Sequence, residues 1–153
     1  LKPIFMKKPV FALLALLLCI VSASKAQSTK PAIFANYPSI INIDENAIRM
    51  AFQNNAGQSV TIPLGQSFNF SGKVISNVQK YENLRIIIIK STTWQNTLLQ
   101  LAKTTNADNI VTFSGRIINP GAADGFEIKR ESLGRYKLKK TQTDKIFEPC
   151  NIH

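Results

Sequence analysis

The stretch FSGKVI, which begins at Phe70, returns 43 residues later as FSGRII, which begins at Phe113. In both copies apolar and polar residues alternate around a central glycine, which is typical of a β-strand with one buried face. A glycine inside a strand marks a bulge or a place where another part of the backbone comes close. We therefore predict that Gly72 and Gly115 occupy equivalent positions and that Phe70 and Phe113 face one core.

The same two-residue period continues on both sides of these copies. It predicts seven strands: SVTIPL (59–64), FNFSGKVISN (68–77), LRIIIIKS (84–91), TLLQLAKT (97–104), IVTFSGRIIN (110–119), GFEIKRE (125–131) and GRYKLKKT (134–141). Short polar turns separate them, which favours antiparallel neighbours, and no interval is long enough for a crossover helix. The sequence predicts a mainly β fold, an antiparallel meander that forms a barrel or roll from two repeated three-stranded units.

One short helix is predicted near the start of the chain, over residues 45–54. Asp44 is a favourable N-cap residue, Ile48 and Phe52 lie four positions apart, and Gly57 can close the C-terminal end. The alternative is a hairpin, because residues 48–52 also alternate between apolar and polar. In that case they would pair with the first predicted strand.

The run Ile86–Ile89 is apolar on both faces of its predicted strand. An uncovered apolar strand invites aggregation. We therefore predict that the helix or the segment before it covers the second face.

The N-terminal segment has the features of a secretory signal peptide. Lys7 and Lys8 precede an apolar run of about a dozen residues, and Ser24-Lys25-Ala26 predicts cleavage after Ala26. A membrane-spanning helix needs roughly 20 apolar residues, so no membrane span is predicted. We expect an exported protein, periplasmic or extracellular. Its predicted parts are a signal peptide (1–26), an extended lead-in (27–39), a single β domain (40–146) and a C-terminal tail (147–153).

The chain is basic after the predicted cleavage, with 15 basic and 9 acidic residues and a net charge of +6. This charge favours anionic partners. Arg135, Lys137 and Lys139 alternate onto one strand face, and Tyr136 and Leu138 onto the other. The stripe is either an anion-binding surface or a solvated face that discourages edge pairing. Nucleic acid is not favoured, because the neighbouring aromatic side chain points away from the basic face.

Trp94 lies in a predicted turn, STTWQN. A tryptophan there can stack on a sugar, anchor a partner protein or close one end of a barrel. Trp94, Arg135, Lys137 and Lys139 are therefore the candidate ligand-binding residues. The expected partner is an unknown protein or an anionic glycan.

The sequence contains few of the side chains that an enzyme active site needs. The only histidine is His153, so a positioned imidazole base and a histidine-based zinc site are both missing. No pair of carboxylates stands out for glycoside hydrolysis. We predict a non-catalytic binding or interaction module, not an enzyme, with no cofactor.

Cys150 is the only cysteine beyond the predicted signal peptide. The stretch FSGRIINPGAADGFEIKRESLGRYKLKK (113–140), followed by the cysteine in EPCNIH, resembles the strand-rich propeptides of secreted zinc metallopeptidases. Some of those propeptides inhibit the enzyme when a cysteine thiolate takes the open position of the catalytic zinc. The resemblance implies an alternative function, inhibition of a secreted peptidase, in which Cys150 is a ligand of the partner's zinc. A disulfide-linked dimer through Cys150 is a third possibility.

The layout as a whole resembles small exported bacterial β-rich proteins of unknown function. The shared features are the signal peptide, the repeated F-x-G-x-V/I, a strand from Tyr81 to Ile89 and an A-D-G turn. This resemblance implies export and a β fold, and it implies no activity.

Overall fold

The computed structural model describes residues 30–143, which form one antiparallel sheet and one short helix. The fold is therefore mainly β, as the sequence predicts. In chain order the elements are β1 (Ile40–Asp44), α1 (Glu45–Ala51), β2 (Ser59–Pro63), β3 (Asn69–Tyr81), β4 (Leu84–Ser91), β5 (Leu98–Thr105), β6 (Val111–Ile118), β7 (Asp124–Ser132) and β8 (Arg135–Gln142).

The eight strands form a meander that curls into a half-barrel. From β2 to β8 each strand pairs with the next one in the chain, whereas β1 pairs with β8. The two edges of the sheet are therefore β1 and β2, and α1 contacts both. The curl brings the edges together just after β2, where a Cβ atom on Gly65 would lie 2.3 Å from Cγ2 of Ile41. Only glycine fits at that approach.

The hydrophobic core lies on the inner face of the half-barrel. The two-residue alternation of the strands directs every second side chain there, and Phe70 and Phe113 both lie in this core, as predicted. One face of α1 closes over the same core with Ala47, Ile48 and Ala51. Complete burial of one large apolar side chain stabilises a fold by roughly 1.5–3 kcal/mol, so this shared core holds the sheet and helix together.

The helix begins where the sequence predicts. The side chain of Asp44 accepts a hydrogen bond from the backbone N–H of Asn46 at 2.9 Å, and Glu45 begins the first turn. The carboxylate satisfies one of the backbone donors that a helix start leaves unpaired. The hairpin alternative is therefore wrong for this segment.

The helix ends at Ala51, three residues before the predicted end. The side-chain amide of Asn54 donates to the carbonyl groups of Met50 and Ala51, which satisfies two of the last helical acceptors. Gly57 does not close the helix; it lies in the following turn with a φ angle of +92°. Within residues 30–143, no helix has the length and apolar character needed to cross a membrane.

The two repeated glycines lie where a neighbouring strand comes very close. A Cβ atom would lie 2.4 Å from the carbonyl oxygen of Lys90 at Gly72, and 2.5 Å from that of Gln100 at Gly115. The prediction of a close backbone approach is confirmed at both positions. Neither glycine lies at a bulge, because the register shifts of β3 come after Val74 and after Gln79 and the pairing of β5 with β6 has none.

The sequence predicts an extended segment before β1. In the structure this segment turns at Phe34. The backbone N–H of Tyr37 donates to the carbonyl of Phe34 at 3.0 Å, and the Phe34 ring is fully buried. The Asp124 carboxylate accepts from the backbone N–H of Phe34 at 3.0 Å, and the Lys140 ammonium donates to the carbonyls of Phe34 and Tyr37, both at 2.7 Å. We call these four residues the lead-in clamp.

The prediction that β4 is covered on both faces is wrong. Ile87 and Ile89 are fully buried on the inner face, where α1 and Phe34 also pack. Ile86 and Ile88 lie on the outer face and are only half-buried. The helix is shorter than predicted. The helix and the segment that contains Phe34 both pack on the inner core, so neither reaches the outer face of β4.

Candidate functional site

The basic stripe lies on the outer face of β8. Arg135 and Lys139 are exposed and Lys137 is half-buried, whereas Tyr136 and Leu138 are buried on the inner face. The alternation predicted from the sequence is therefore confirmed. A depression of about 210 Å³ lies beside the stripe and is lined in part by Lys137 and Lys139.

Glutamates of β7 neutralise part of the basic surface. Glu131 forms an ion pair with Lys137, and Glu127 lies 3.2 Å from the ammonium of Lys129. Among the residues that the structure describes, Arg135 and Lys139 have no acidic group within ion-pair distance. The unbalanced positive charge of the stripe therefore resides on these two side chains.

A depression of about 580 Å³ crosses the outer face of strands β5–β8. The small outward side chains of Ala102 and Ser114 line it together with Gly115. The polar side chains that line it are Gln100, Arg116, Glu127 and Thr141. We call this depression the β5–β8 groove.

Three charged residues stand in one row beside this groove. Arg116 of β6 lies directly opposite Glu127 of β7, which in turn lies opposite Lys139 of β8. Residues opposite each other in an antiparallel sheet share a face, with Cβ atoms about 5 Å apart. The guanidinium Nε of Arg116 donates to the side-chain oxygen of Gln100 at 3.1 Å, a neutral partner that leaves its charge uncompensated. The row therefore places two hydrogen-bond donors, Arg116 and Lys139, on either side of one acceptor, Glu127.

The sequence predicts none of the polar groove residues Gln100, Arg116, Glu127 and Thr141 as site residues. The outward direction of Arg116 can be read from FSGRII, because Phe113 and Gly115 face inward and the next residue must face outward. Its position beside Glu127 and Lys139 depends on the pairing of three strands, which no local pattern contains.

Trp94 lies apart from the basic stripe, in an aromatic cluster at one end of the half-barrel. Its ring centroid is 5.2 Å from that of Phe34, and it stacks on Phe68 at 5.6 Å with an interplanar angle of 14°. These partners belong to the inner core, whereas the stripe lies on the outer face. Trp94 therefore closes the end of the half-barrel, one of the alternatives that its sequence position left open.

The metal-ligating and thiol groups that the sequence suggests can be compared with the described residues only in part. Within residues 30–143, no group of three or more His, Cys, Asp or Glu side chains could hold a metal ion. Cys150 and His153 lie outside the described residues. The zinc-ligating role of Cys150 therefore stays a prediction.

Comparison of the chain with protein-family models, curated proteins and solved structures finds no match. The functional argument therefore rests on the geometry of the sheet.

Proposed function

We propose that this protein is an exported, non-catalytic binding module that holds an anionic glycan in the β5–β8 groove. The observation that carries the proposal is the row of Arg116, Glu127 and Lys139 beside a depression of about 580 Å³. The volume lies within the range of roughly 300–1,000 Å³ that is usual for small-ligand sites.

The chemistry of the groove suits a sugar that carries carboxylates. Sugar hydroxyls both donate and accept hydrogen bonds, and the lining supplies donors and acceptors on the same surface through Gln100, Thr141 and Glu127. Arg116 and Lys139 bear two positive charges beside one carboxylate, which leaves an excess that a uronic acid would balance. Charge-assisted hydrogen bonds to such a carboxylate are about twice as strong as neutral ones.

The ion pairs already present on this face do not compete strongly with a ligand. The side chains of Lys129 and Glu127 are 59% and 48% exposed, and exposed pairs of this kind contribute about 0–1 kcal/mol. A ligand carboxylate can therefore displace them at little cost.

The proposal is tested by calorimetric titration of the chain from residue 27 with a hexamer of galacturonic acid. The double variant Arg116→Gln/Lys139→Gln should bind about tenfold or more weakly, since each substitution removes a charge-assisted hydrogen bond. The matched control is Lys73→Gln/Lys90→Gln, which removes the same charge from the outer face of β3–β4 and should bind normally. A hexamer of glucose, which lacks the carboxylates, should bind more weakly than the acidic hexamer.

Absence of binding to the acidic hexamer would overturn the choice of ligand. An equal loss of affinity in both double variants would show general attraction to net charge and no groove.

The alternative function, inhibition of a secreted zinc peptidase through Cys150, rests on the resemblance to propeptides and on the affinity of thiolate for zinc. It uses none of the groove residues, so the two functions are separable by mutation.

We also infer that β3–β5 and β6–β8 arose by duplication of one three-stranded unit. The support is the repeated sequence FSGKVI/FSGRII and the close backbone approach at both glycines, which Gly72 makes to the following strand β4 and Gly115 to the preceding strand β5. The glycine variants described below test this equivalence.

A further inference from the structure

The outer face of β3 and β4 exposes apolar side chains that nothing in the described chain covers. Exposed fractions are 50% for Ile75, 41% for Val78 and 70% for Tyr81. Ile86 lies directly opposite Val78 on the same face, and Ile88 is the next outward residue of β4. Exposed apolar side chains grouped on one face of a sheet are a feature of docking sites for proteins or membranes.

Lysines border these apolar side chains. Lys73 of β3 and Lys90 of β4 lie directly opposite each other and are both exposed, and Lys80 follows further along β3. Like charges in opposite positions destabilise a sheet, so the pair is unfavourable unless an anion lies between them. Within the described residues neither Lys73 nor Lys90 has an acidic partner.

We name this surface the lysine-flanked patch; its members are Lys73, Ile75, Val78, Lys80, Tyr81, Ile86, Ile88 and Lys90. The outward positions of the neighbouring strands β2 and β5 add no acidic residue, because β2 contributes Ser59, Thr61 and Pro63 and β5 contributes Leu98, Gln100, Ala102 and Thr104.

The charge of the patch argues against a second copy of this chain as its occupant. Two copies packed face to face would bring their lysines together. The one carboxylate on β3, β4 and the turn between them, Glu82, lines a separate depression with Arg85 and Lys103. A lipid surface avoids this conflict, because anionic headgroups meet the lysines while the acyl boundary receives the apolar side chains. Tyr81 has the amphipathic ring that is enriched at membrane interfaces.

We propose that the lysine-flanked patch docks this protein on the surface of a membrane that contains anionic lipid. The protein lies on the membrane and does not cross it. The patch occupies β3 and β4, whereas the glycan groove occupies β5–β8, so the proposal does not depend on the proposed glycan function.

The test measures co-sedimentation of the chain from residue 27 with vesicles of phosphatidylglycerol and phosphatidylcholine. The expected result is binding that falls as salt rises and that is lost with vesicles of phosphatidylcholine alone. Lys73→Gln/Lys90→Gln should lower the partition coefficient on the order of 20-fold, because each lysine near an anionic surface is equivalent to about a fivefold change. Arg116→Gln/Lys139→Gln removes the same charge from the groove and should partition normally.

A matched pair of isoleucines tests the apolar contribution. Ile75→Thr in the patch should weaken binding about fivefold, whereas Ile110→Thr, at a residue that is 42% exposed in the β5–β6 turn, should leave it unchanged. Thermal melting of each variant confirms that it folds.

Absence of binding to the anionic vesicles, or equal binding to neutral ones, would overturn the proposal. It would also be overturned by sedimentation of the free protein as a dimer that Ile75→Thr dissociates, since the patch would then bind a second copy. Loss of vesicle binding in both double variants alike would assign the effect to net charge and exclude the patch. Failure of the glycan titration would leave all of these outcomes unaffected.

Discussion

The hydroxyl of Tyr136 accepts a hydrogen bond from the backbone N–H of Phe113 at 3.1 Å. The pairing of β6 with β7 covers only residues 115–117 of β6, so Phe113 lies beyond the end of that ladder. A side chain from β8 thus supplies the acceptor that β7 does not provide. The two rings also lie edge to face, with centroids 6.0 Å apart.

Replacement of Tyr136 by phenylalanine should lower the free energy of unfolding by about 1–3 kcal/mol, because it leaves a buried N–H group without an acceptor. Urea denaturation measures the effect. Tyr81→Phe, at a residue that is 70% exposed, is the control and should be neutral. Identical midpoints for both variants would mean that the hydrogen bond does not stabilise the sheet.

The two repeated glycines should respond alike to substitution. Gly72→Ala and Gly115→Ala each push a methyl group against a backbone carbonyl less than 3 Å away, and should each destabilise the fold by about 1–3 kcal/mol. Gly121→Ala is the control, since its nearest contact would be a side-chain oxygen at 3.4 Å. A large loss at one repeat glycine and none at the other would argue against equivalent units.

The lead-in clamp should keep Phe34 in place. Lys140→Met removes the ammonium that bonds to the carbonyls of Phe34 and Tyr37 but keeps an apolar stem of similar length. We expect faster hydrogen exchange at the amide of Tyr37 and a change in Trp94 fluorescence, because Trp94 packs against Phe34.

The control for the clamp is Lys139→Met, which changes the neighbouring residue on the opposite face of β8. It should leave both signals unchanged. Unchanged exchange in Lys140→Met would show that the burial of Phe34 and its hydrogen bond to Asp124 hold the turn without the ammonium group.

The peptidase-inhibitor alternative predicts that the chain from residue 27 inhibits secreted zinc peptidases and that Cys150→Ser abolishes the inhibition. A panel of such peptidases assayed with both proteins is the measurement. Arg116→Gln is the control and should inhibit like the unsubstituted chain. Inhibition that survives Cys150→Ser would rule out the thiolate mechanism.

Most of the sheet is predictable because apolar and polar side chains alternate within each strand. LRIIIIKS, residues 84–91, has the same bounds in the sequence prediction and in the structure, since turns of polar residues fix both ends. The sequence does not predict β1, because IINID, residues 40–44, is short and pairs with β8, nearly 100 residues away. The early end of α1 depends on a side-chain cap from Asn54, which competes with continued helix.

The candidate site is less predictable than the fold. The outward direction of Lys139 follows from alternation within one strand. Its proximity to Arg116 follows from the register of β6, β7 and β8, which is a property of the folded sheet. The surroundings of Trp94 are equally hard to predict, because its position in a turn does not indicate that Phe34 and Phe68 pack against it.

The most direct test of the glycan proposal is to locate the ligand on the sheet by nuclear magnetic resonance. Titration of the isotope-labelled chain with the galacturonic acid hexamer should shift the backbone amide signals of Gln100, Ser114, Arg116, Glu127 and Thr141, and should leave those of β3 and of the Trp94 cluster in place. Shifts centred on Trp94 or on Lys73 and Lys90, or none at all, would contradict the assignment of the β5–β8 groove as the binding site.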